Sequence, residues 1–175
     1  MIDSSSIRVH QHGANSKRGV RRPKPGTQLP PDAWGAPRGG LTTKIHALVD
    51  ANGPPILLKI TPGQANDGRS AADMFASLGA GDVLLADRAY DSDGLRATLE
   101  ERGINANIKP MPNRVRHPGF STTLYKLRNA VERFFSKIKH YRAIATRCEK
   151  HPENYMALIK LAAARIWMKF MRSVT

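Results

Sequence analysis

The chain has 175 residues, enough for one globular domain with a buried core. Its 28 lysines and arginines against 14 acidic residues give a net charge of +14, an excess that is typical of proteins whose partner is rich in phosphate. An anionic membrane surface or a ribosome-type role stays open on composition alone. The apolar C-terminal segment is interrupted by Lys160, Arg165 and Lys169, which argues against a membrane span.

Positive charge is concentrated in two segments of the chain. Residues 8–44 contain eight basic side chains and one acid, and residues 109–150 contain eleven basic side chains and two acids. The residues between them, 45–108, carry nine acids and five bases. We therefore predict two basic segments that bind a polyanion and a central segment that does not. The single cysteine, Cys148, excludes an intrachain disulfide, which fits a reducing cytoplasm.

The first part of the chain predicts a strand, a basic loop and a hairpin. Apolar and polar residues alternate over residues 1–11, which is typical of a strand. Residues 13–40 are rich in Gly, Pro and Arg and predict a long basic loop. Two β-rich runs within residues 42–63 flank Asn52-Gly53, a pair that favours the tight turn of a hairpin.

The rest of the chain alternates helices and strands. They are predicted at residues 68–79 (helix), 82–87 (strand), 92–102 (helix), 104–109 (strand), 121–141 (helix) and from Pro152 onward (helix). This order predicts an α/β fold in which a mixed sheet is flanked by helices. We expect one domain over residues 1–150, with a C-terminal helix, residues 151–175, packed on it.

One stripe of the helix predicted over residues 121–141 carries an acid among basic groups. At 100° per residue, the stripe is about 60° wide and lies beside the apolar face. Its members are Tyr125, Arg128, Glu132 and Lys139. The simplest interpretation is that Glu132 forms helix-stabilising ion pairs with the basic residues, each worth roughly 0.2–0.5 kcal/mol. Alternatively, Glu132 faces outward near the sheet and takes part in chemistry.

Two further carboxylates lie at positions that favour chemistry. Asp87 closes an apolar strand, so we expect it at the carboxyl edge of the sheet, where sites in α/β folds are found. A turn or capping role is the simpler alternative for Asp87. Asp3 lies in the first predicted strand, where a buried acid must be paired, protonated or bound to metal. Three such acids among phosphate-seeking side chains fit two divalent cations ~3.5–4 Å apart that act on phosphodiester bonds.

The spacing Tyr125-x2-Arg128-x3-Glu132-x6-Lys139 resembles the Y-(2)-R-(3)-E-(6)-K signature of bacterial insertion-sequence transposases of the DDE class. The chain is similar to the group of insertion sequence family five, within the family-four-like superfamily, over nearly its whole length. The similar blocks are DSSSIRVHQH (3–12), RGGLTTKIHALVDANG (38–53), TPGQAND (61–67), LLADRAYDSDGLR (84–96) and NAVERFFSKIKHYRAIATRCEK (129–150).

This resemblance implies an RNase H-like fold whose first strand is clipped at its N-terminus. It implies that Asp3, Asp87 and Glu132 form a catalytic, metal-binding triad for two Mg²⁺ ions, with Mn²⁺ as a substitute. The implied reaction is Mg²⁺-dependent cutting of the element's ends by water, followed by attack of the freed 3′-hydroxyl on target DNA. No covalent protein–DNA intermediate is expected.

The resemblance also implies DNA as the partner. It implies that three signature residues, Tyr125, Arg128 and Lys139, bind the transposon end. In the predicted basic loop and just after it, we expect DNA contacts from Arg18, Arg21, Arg22, Arg38 and Lys44. The expected partners are the terminal inverted repeats and target DNA, bound by a homo-oligomer in a synaptic complex, with no membrane and a cytoplasmic, nucleoid-associated location.

Only Met1 and Ile2 precede Asp3, whereas similar full-length enzymes have an N-terminal region before the first acid. We therefore expect the chain to resemble a downstream catalytic product. It would then need an upstream reading-frame product for end recognition and for activity. The main alternative is a catalytically inactive DNA-binding fragment that regulates transposition. An RNA-binding protein is disfavoured because it leaves the spacing of the acids unexplained.

Overall fold

The computed structural model describes residues 1–10, 41–115 and 118–174. Its strands are β1 (Ile2–Val9), β2 (Thr42–Val49), β3 (Pro55–Pro62), β4 (Val83–Ala86), β5 (Asn105–Ile108) and β6 (Thr146–Arg147). Its α-helices are α1 (Asp67–Ala71), α2 (Asp93–Glu101), α3 (Thr122–Lys126), α4 (Asn129–Lys139), α5 (Arg142–Ala145) and α6 (Pro152–Val174). Short 3-10 helices occupy Ala72–Ser77 and Arg88–Tyr90. The predicted basic loop, residues 13–40, lies outside the described residues.

The strands form a mixed sheet and a smaller parallel one. The first has the order β3-β2-β1-β6, and β6 runs parallel to β1 with Arg8 opposite Thr146. The second pairs β4 with β5 in parallel, connected by α2, with Val83 opposite Asn105. Helices and strands therefore alternate as the sequence predicts, and the short strand β6 is an addition that the sequence pattern does not show.

The β2–β3 hairpin turns where the Asn-Gly pair predicts it. Gly53 has a φ of +103°, a backbone conformation that glycine adopts without steric cost. The Asp50 carboxylate accepts hydrogen bonds from the backbone N–H groups of Asn52 (2.8 Å) and Gly53 (2.7 Å). The side chain thereby closes the turn in the way typical of aspartate. This local prediction is confirmed.

The chain divides into two compact units that interleave along the sequence. The first consists of Met1–Ser4, His46–Leu58 and Asn66–Ser136, and the second of Ser5–Ile45, Lys59–Ala65 and Lys137–Thr175. The first unit contains one apolar core, made of Ile2, Leu48, Met74, Phe75, Leu84, Ala86, Tyr90, Leu95, Leu99, Ile104 and Ile108. Residues of β1, β4 and β5 thus meet in the same core, which brings the strand ends of this unit into one neighbourhood.

The second unit is organised around the start of α6. Pro152 is the first residue of this helix, a position where its missing N–H costs nothing. The Tyr155 ring lies under the Arg147 guanidinium (4.9 Å), and its hydroxyl donates to the Ile144 carbonyl oxygen (2.7 Å). The helix buries Tyr155, Ile159, Ala162, Ala163 and Ile166. In the described residues no helix has the length and hydropathy needed to cross a bilayer.

The single helix predicted over residues 121–141 is wrong in one respect, because the structure breaks it into α3 and α4. The backbone N–H groups of Leu127 and Arg128 bond to the carbonyl oxygens three residues earlier, which tightens the chain. The faces of the two helices are therefore rotated relative to an unbroken α-helix. Leu124 and Leu127, which 100° per residue would place on the apolar face of an unbroken helix, are 41% and 57% exposed.

Candidate active site

Asp87 lies directly after β4, at the carboxyl end of this strand. Its Oδ1 accepts a hydrogen bond from the backbone N–H of Arg88 (2.6 Å), so the carboxylate caps the 3-10 helix Arg88–Tyr90. The same oxygen accepts from the Tyr125 hydroxyl at 3.4 Å. Both interpretations of Asp87 offered by the sequence therefore describe the same side chain, which caps a turn and also faces a residue of the transposase signature.

Asp3 is mostly buried on β1 and uses both of its carboxylate oxygens. Its Oδ1 accepts from the backbone N–H of Ser4 (2.8 Å), and its Oδ2 accepts from Nη1 of Arg128 (2.7 Å). Burial raises the pKa of Asp3 and the Asp87 carboxylate adds to the rise, although Ser4 and Arg128 oppose it. A buried acid must be paired, protonated or bound to metal, and in this structure Asp3 is paired with Arg128.

Arg128 is the link between two of the three predicted catalytic acids. Its guanidinium donates to Asp3 through Nη1 (2.7 Å) and to Glu132 through Nη2 (2.5 Å). The pair with Glu132 is the helical i,i+4 pair that the simpler interpretation predicts, but the pair with Asp3 spans 125 residues of sequence. Burial alone would lower the pKa of Arg128, yet Asp3 and Glu132 outweigh it and raise the pKa.

Tyr125 lies among aromatic and cationic side chains. The ring of Phe120 meets it edge-on at 5.2 Å, and the Lys109 ammonium and the Arg128 guanidinium lie 5.5 and 5.3 Å from its centroid. Burial raises the pKa of Tyr125, and the neighbouring Asp87 carboxylate contributes. The phenol therefore keeps its proton and donates to Asp87. Lys109 and Phe120 are site neighbours that the sequence patterns did not indicate.

Asp3, Asp87 and Glu132 thus belong to one region, connected through Arg128 and Tyr125. In the part of the chain that the structure describes, no three His, Cys, Asp or Glu side chains stand close enough together to form a metal site. The donor set nevertheless suits a hard divalent cation, because it consists of carboxylate oxygens. The Arg128 guanidinium supplies positive charge to two of these carboxylates.

The other predicted DNA contacts have separate surroundings. Lys139 is exposed and is the last residue of α4, seven residues after Glu132. Lys44 donates from Nζ to the Ala65 carbonyl oxygen (2.8 Å), so its ammonium is held by the backbone of its own unit. The remaining predicted contacts, Arg18, Arg21, Arg22 and Arg38, lie outside the described residues. Their roles stay predictions.

A second polar group adjoins Asp3 and was missed by the sequence patterns. The Ser4 hydroxyl donates to Oδ1 of Asp67 (2.9 Å), and buried His46 places Nδ1 at 3.9 Å from the same oxygen. Burial raises the pKa of Tyr90, and the carboxylates of Asp67, Asp3 and Asp87 raise it further. The blocks TPGQAND and LLADRAYDSDGLR contain Asp67 and Tyr90, but their spacing gave neither residue a role.

Asp91 forms another network that only the tertiary structure shows. Its carboxylate accepts from Nε of Arg96 (2.7 Å), from Nε of Arg114 (2.6 Å) and from the backbone N–H of Met111 (2.7 Å). Arg114 also donates to Asp93. Through these bonds, Asp91 and α2 together contact the basic segment that follows β5.

The structure is that of an α/β protein in which Asp3 on β1, Asp87 after β4 and Glu132 on α4 lie in one region together with Arg128 and Lys109. The chain was compared with known proteins. A family model described as Transposase DDE domain matches residues 1–167. A Brucella ovis protein named as a transposase for insertion sequence element IS6501 is 42% identical over 130 residues, which are 74% of this chain and 100% of that protein. A Burkholderia cepacia protein named as a transposase for insertion sequence element IS402 is 28% identical over 158 residues, which are 79% of this chain and 72% of that protein.

The chain belongs to the DDE transposase family of bacterial insertion sequences. The resemblance drawn from the signature spacing is therefore confirmed, as is the RNase H-like class of mixed sheet flanked by helices. Family membership supports a role in DNA transposition, with DNA as the partner. DDE transposases generally use divalent metal ions, which agrees with the carboxylate donors of the site.

Proposed function

We propose that this chain is a transposase catalytic domain in which Asp3, Asp87 and Glu132 hold divalent cations and cut DNA at the ends of a mobile element. The observation that carries the proposal is the Arg128 guanidinium, which joins Asp3 on β1 to Glu132 on α4. Tyr125, three residues before Arg128, donates to Asp87. Three acids that are distant in sequence thus share one pair of signature residues.

The proposed cofactor is Mg²⁺, with two ions per site and Mn²⁺ as a substitute, since all three proposed ligands are carboxylates. When bound, such ions activate the attacking oxygen and stabilise the leaving oxygen of an in-line phosphoryl displacement. Substrate phosphates would complete the ligand set, because three carboxylates do not neutralise two divalent cations. Binding of DNA phosphates agrees with the positive charge of residues 8–44 and 109–150, which flank the acidic segment 45–108.

The basic and aromatic residues of the site bind and orient the substrate in this proposal. Arg128 pairs with both Asp3 and Glu132 in the free protein, and a divalent cation held by these carboxylates would free the guanidinium for a DNA phosphate. Lys109 lies beside the Tyr125 ring and offers a second cation to the backbone of the same DNA end. The Tyr125 hydroxyl holds Asp87 in orientation through their hydrogen bond.

The proposed reaction has two phosphoryl transfers. In the first, the oxygen of water bonds to phosphorus at the element's end and the P–O3′ bond breaks. The leaving oxygen takes up a proton and becomes a 3′-hydroxyl, while the flanking strand keeps a 5′-phosphate. In the second, that 3′-hydroxyl attacks a phosphodiester of the target and loses its proton, and the target strand leaves as a new 3′-hydroxyl.

Substitution of single acids tests the proposal. We expect Asp87→Asn and Glu132→Gln to lower Mg²⁺-dependent cleavage of an end-containing duplex at least about 10³-fold, because each removes a ligand charge that the transition state needs. DNA binding in a gel-shift assay should survive in both. The matched control is Glu100→Gln, an exposed acid on α2, which should cleave like the unmodified chain. Undiminished cleavage by Asp87→Asn would refute the proposal.

Two observations favour the inactive, DNA-binding alternative. Arg128 already pairs with two of the three acids, and the described residues contain no group of three metal ligands. Under this alternative, the unmodified chain binds end-containing DNA but releases no cleaved strand with Mg²⁺ or Mn²⁺. The substitutions then change neither binding nor cleavage, so the same experiment separates the two functions.

A further inference from the structure

Asp67 is connected to Asp3 through hydrogen bonds to Ser4. Its Oδ1 accepts from the Ser4 hydroxyl at 2.9 Å, and the backbone N–H of Ser4 donates to Oδ1 of Asp3 at 2.8 Å. Asp67 is 63 residues from Ser4 in the sequence, so this is a tertiary contact. One serine therefore connects a carboxylate at the start of α1 with the proposed catalytic carboxylate on β1.

The local structure does not require a carboxylate at position 67. Asn66 caps α1, since its side chain accepts from the backbone N–H of Arg69 at 3.1 Å. Asp67 is the first residue inside the helix, where an acid adds only a modest interaction with the helix dipole. The side chain is 19% exposed and turns toward Ser4 and buried His46. Its place is thus explained by tertiary contacts.

The charge of Asp67 also acts in the same neighbourhood as the proposed catalytic acids. The carboxylates of Asp67, Asp3 and Asp87 all raise the pKa of Tyr90, whose side chain is 1% exposed. Three carboxylates therefore lie near one buried phenol.

We propose that Asp67 is a positioning residue that fixes Asp3 through Ser4. This inference rests on the proposed function, because it takes Asp3 as a catalytic ligand. Neighbouring side chains on a strand point to opposite faces. Asp67 therefore holds β1 from the face opposite to Asp3. When Arg128 leaves Oδ2 of Asp3 for a DNA phosphate, the Ser4 amide still fixes Oδ1, and Asp67 keeps that amide in place.

The experiment uses the full chain and two measurements. The first is amide hydrogen exchange at Ser4, and the second is kcat and KM for cleavage of an end-containing duplex with Mg²⁺. We expect Asp67→Ala and Ser4→Ala each to raise exchange at residue 4 about tenfold, since each removes the same hydrogen bond. Each should also lower kcat about 10- to 100-fold, as is typical of residues that orient a metal ligand, with KM unchanged.

Three comparisons make the test specific to positioning. The double variant Asp67→Ala/Ser4→Ala should show the same exchange rate and the same kcat as either single variant. Both substitutions remove the same connection between Asp67 and Asp3, so their effects do not add. Asp67→Asn keeps an acceptor oxygen for Ser4, so its exchange rate at residue 4 and its kcat should stay within about threefold of those of the unmodified chain. Asp73→Ala, which removes an exposed acid of the same segment, should change neither measurement. Should Asp67→Ala unfold the chain, Ser4→Ala and Asp67→Asn carry the comparison.

The proposal is overturned if Asp67→Ala or Ser4→Ala leaves exchange at residue 4 at its original value. It is also overturned if the effects of the two substitutions add in the double variant. Failure of the proposed function looks different, since Asp3→Asn would then cleave like the unmodified chain or no cleavage would occur at all. In that case the exchange measurement alone still decides whether Asp67 holds the backbone beside Asp3.

Discussion

Asp3 and Asp91 lie in the same compact unit and both meet arginine guanidinium groups, yet their pKa values move in opposite directions. The Asp91 side chain is fully buried, which by itself raises its pKa. Hydrogen bonds from Arg114, Met111 and Arg96 outweigh this effect and lower the pKa to about 2. For Asp3, burial prevails over Ser4 and Arg128, and the pKa rises.

The opposite pKa shifts show which of the two carboxylates has its negative charge matched by its neighbours. Asp91 has two arginines and a backbone amide arranged around one carboxylate, so its charge is matched. Asp3 shares one guanidinium with Glu132 and feels the nearby Asp87 carboxylate, so negative charge there exceeds the positive charge supplied. The first arrangement stabilises the fold, and the second leaves excess negative charge that the proposed divalent cations would offset.

The largest expected effect is on the free energy of unfolding, and it tests the difference between Asp91 and Asp3. Asp91→Ala should lower the free energy of unfolding by about 3–5 kcal/mol, because the largely buried guanidinium groups of Arg96 and Arg114 and the backbone N–H of Met111 lose their acceptor. Asp3→Ala should lower it by no more than about 1 kcal/mol, since the ionised form of Asp3 is disfavoured in the folded state. Urea unfolding of both variants at neutral pH measures the two values.

The matched control for this prediction is Asp93→Ala. Its side chain is 90% exposed and contacts the same Arg114, so it removes one surface ion pair and leaves Asp91 in place. We expect a loss below about 1 kcal/mol. Equal losses for Asp91→Ala and Asp93→Ala would contradict the view that Asp91 is the centre of a structural network.

A smaller effect concerns the dependence of stability on pH. The pKa of Asp91 falls from 3.8 to about 2 on folding, so the unfolded chain binds more protons between these values. Asp91 therefore contributes stability above pH 3.8 that is lost as the pH falls toward 2. The pKa of Asp3 is raised above 3.8, so the folded chain binds more protons, and stability falls as the pH rises from 3.8 through the folded pKa.

Substitution by asparagine should thus change the two pH profiles in opposite ways. Asp91→Asn should flatten the loss of stability on acidification, whereas Asp3→Asn should remove a gain and make that loss larger relative to neutral pH. Chemical unfolding measured between about pH 2 and pH 5 tests both. Profiles that change in the same direction would show that the two carboxylates do not differ as described.

The sequence predicted most of the local structure because local rules decide it. The Asn-Gly turn, the strand before Asp87 and the helix over residues 92–102 depend mainly on neighbouring residues, and all are present. The break at Leu127–Arg128 was not predicted, since the amphipathic pattern continues through it. The break separates α3 from α4, and Arg128, which lies at it, meets Asp3, a contact that no local pattern contains.

The candidate site was predictable to a similar degree. The signature spacing identified Tyr125, Arg128 and Glu132, which the structure places with Asp87 and Asp3. Spacing gave no role to Asp67, which needs Ser4 from a distant strand. Asp91 was likewise missed, because its partners Arg96 and Arg114 come together only when the chain packs. Sequence spacing thus indicates candidate site residues, and tertiary contacts show which side chains hold them.

The smallest expected effect concerns Arg128, the only cation shared by Asp3 and Glu132 among the contacts described above. Removing its guanidinium by Arg128→Ala removes a competitor for the two carboxylates, so the free chain should bind Mn²⁺ about tenfold more tightly, or about 1.4 kcal/mol. Titration calorimetry with Mn²⁺ in the absence of DNA measures the change. Binding of an end-containing duplex should weaken in the same variant, because the phosphate contact proposed for Arg128 is removed.

Arg133→Ala is the matched control, since Arg133 is exposed and lies next to Glu132 on the same helix. It removes one positive charge from the neighbourhood without freeing a carboxylate oxygen, so Mn²⁺ affinity should change by no more than about twofold. If both variants bind Mn²⁺ equally, general charge and not the shared guanidinium sets the affinity. Weaker Mn²⁺ binding by Arg128→Ala alone would mean that Arg128 organises the carboxylates for the cation, and Asp3 would then resemble Asp91 more than its pKa suggests.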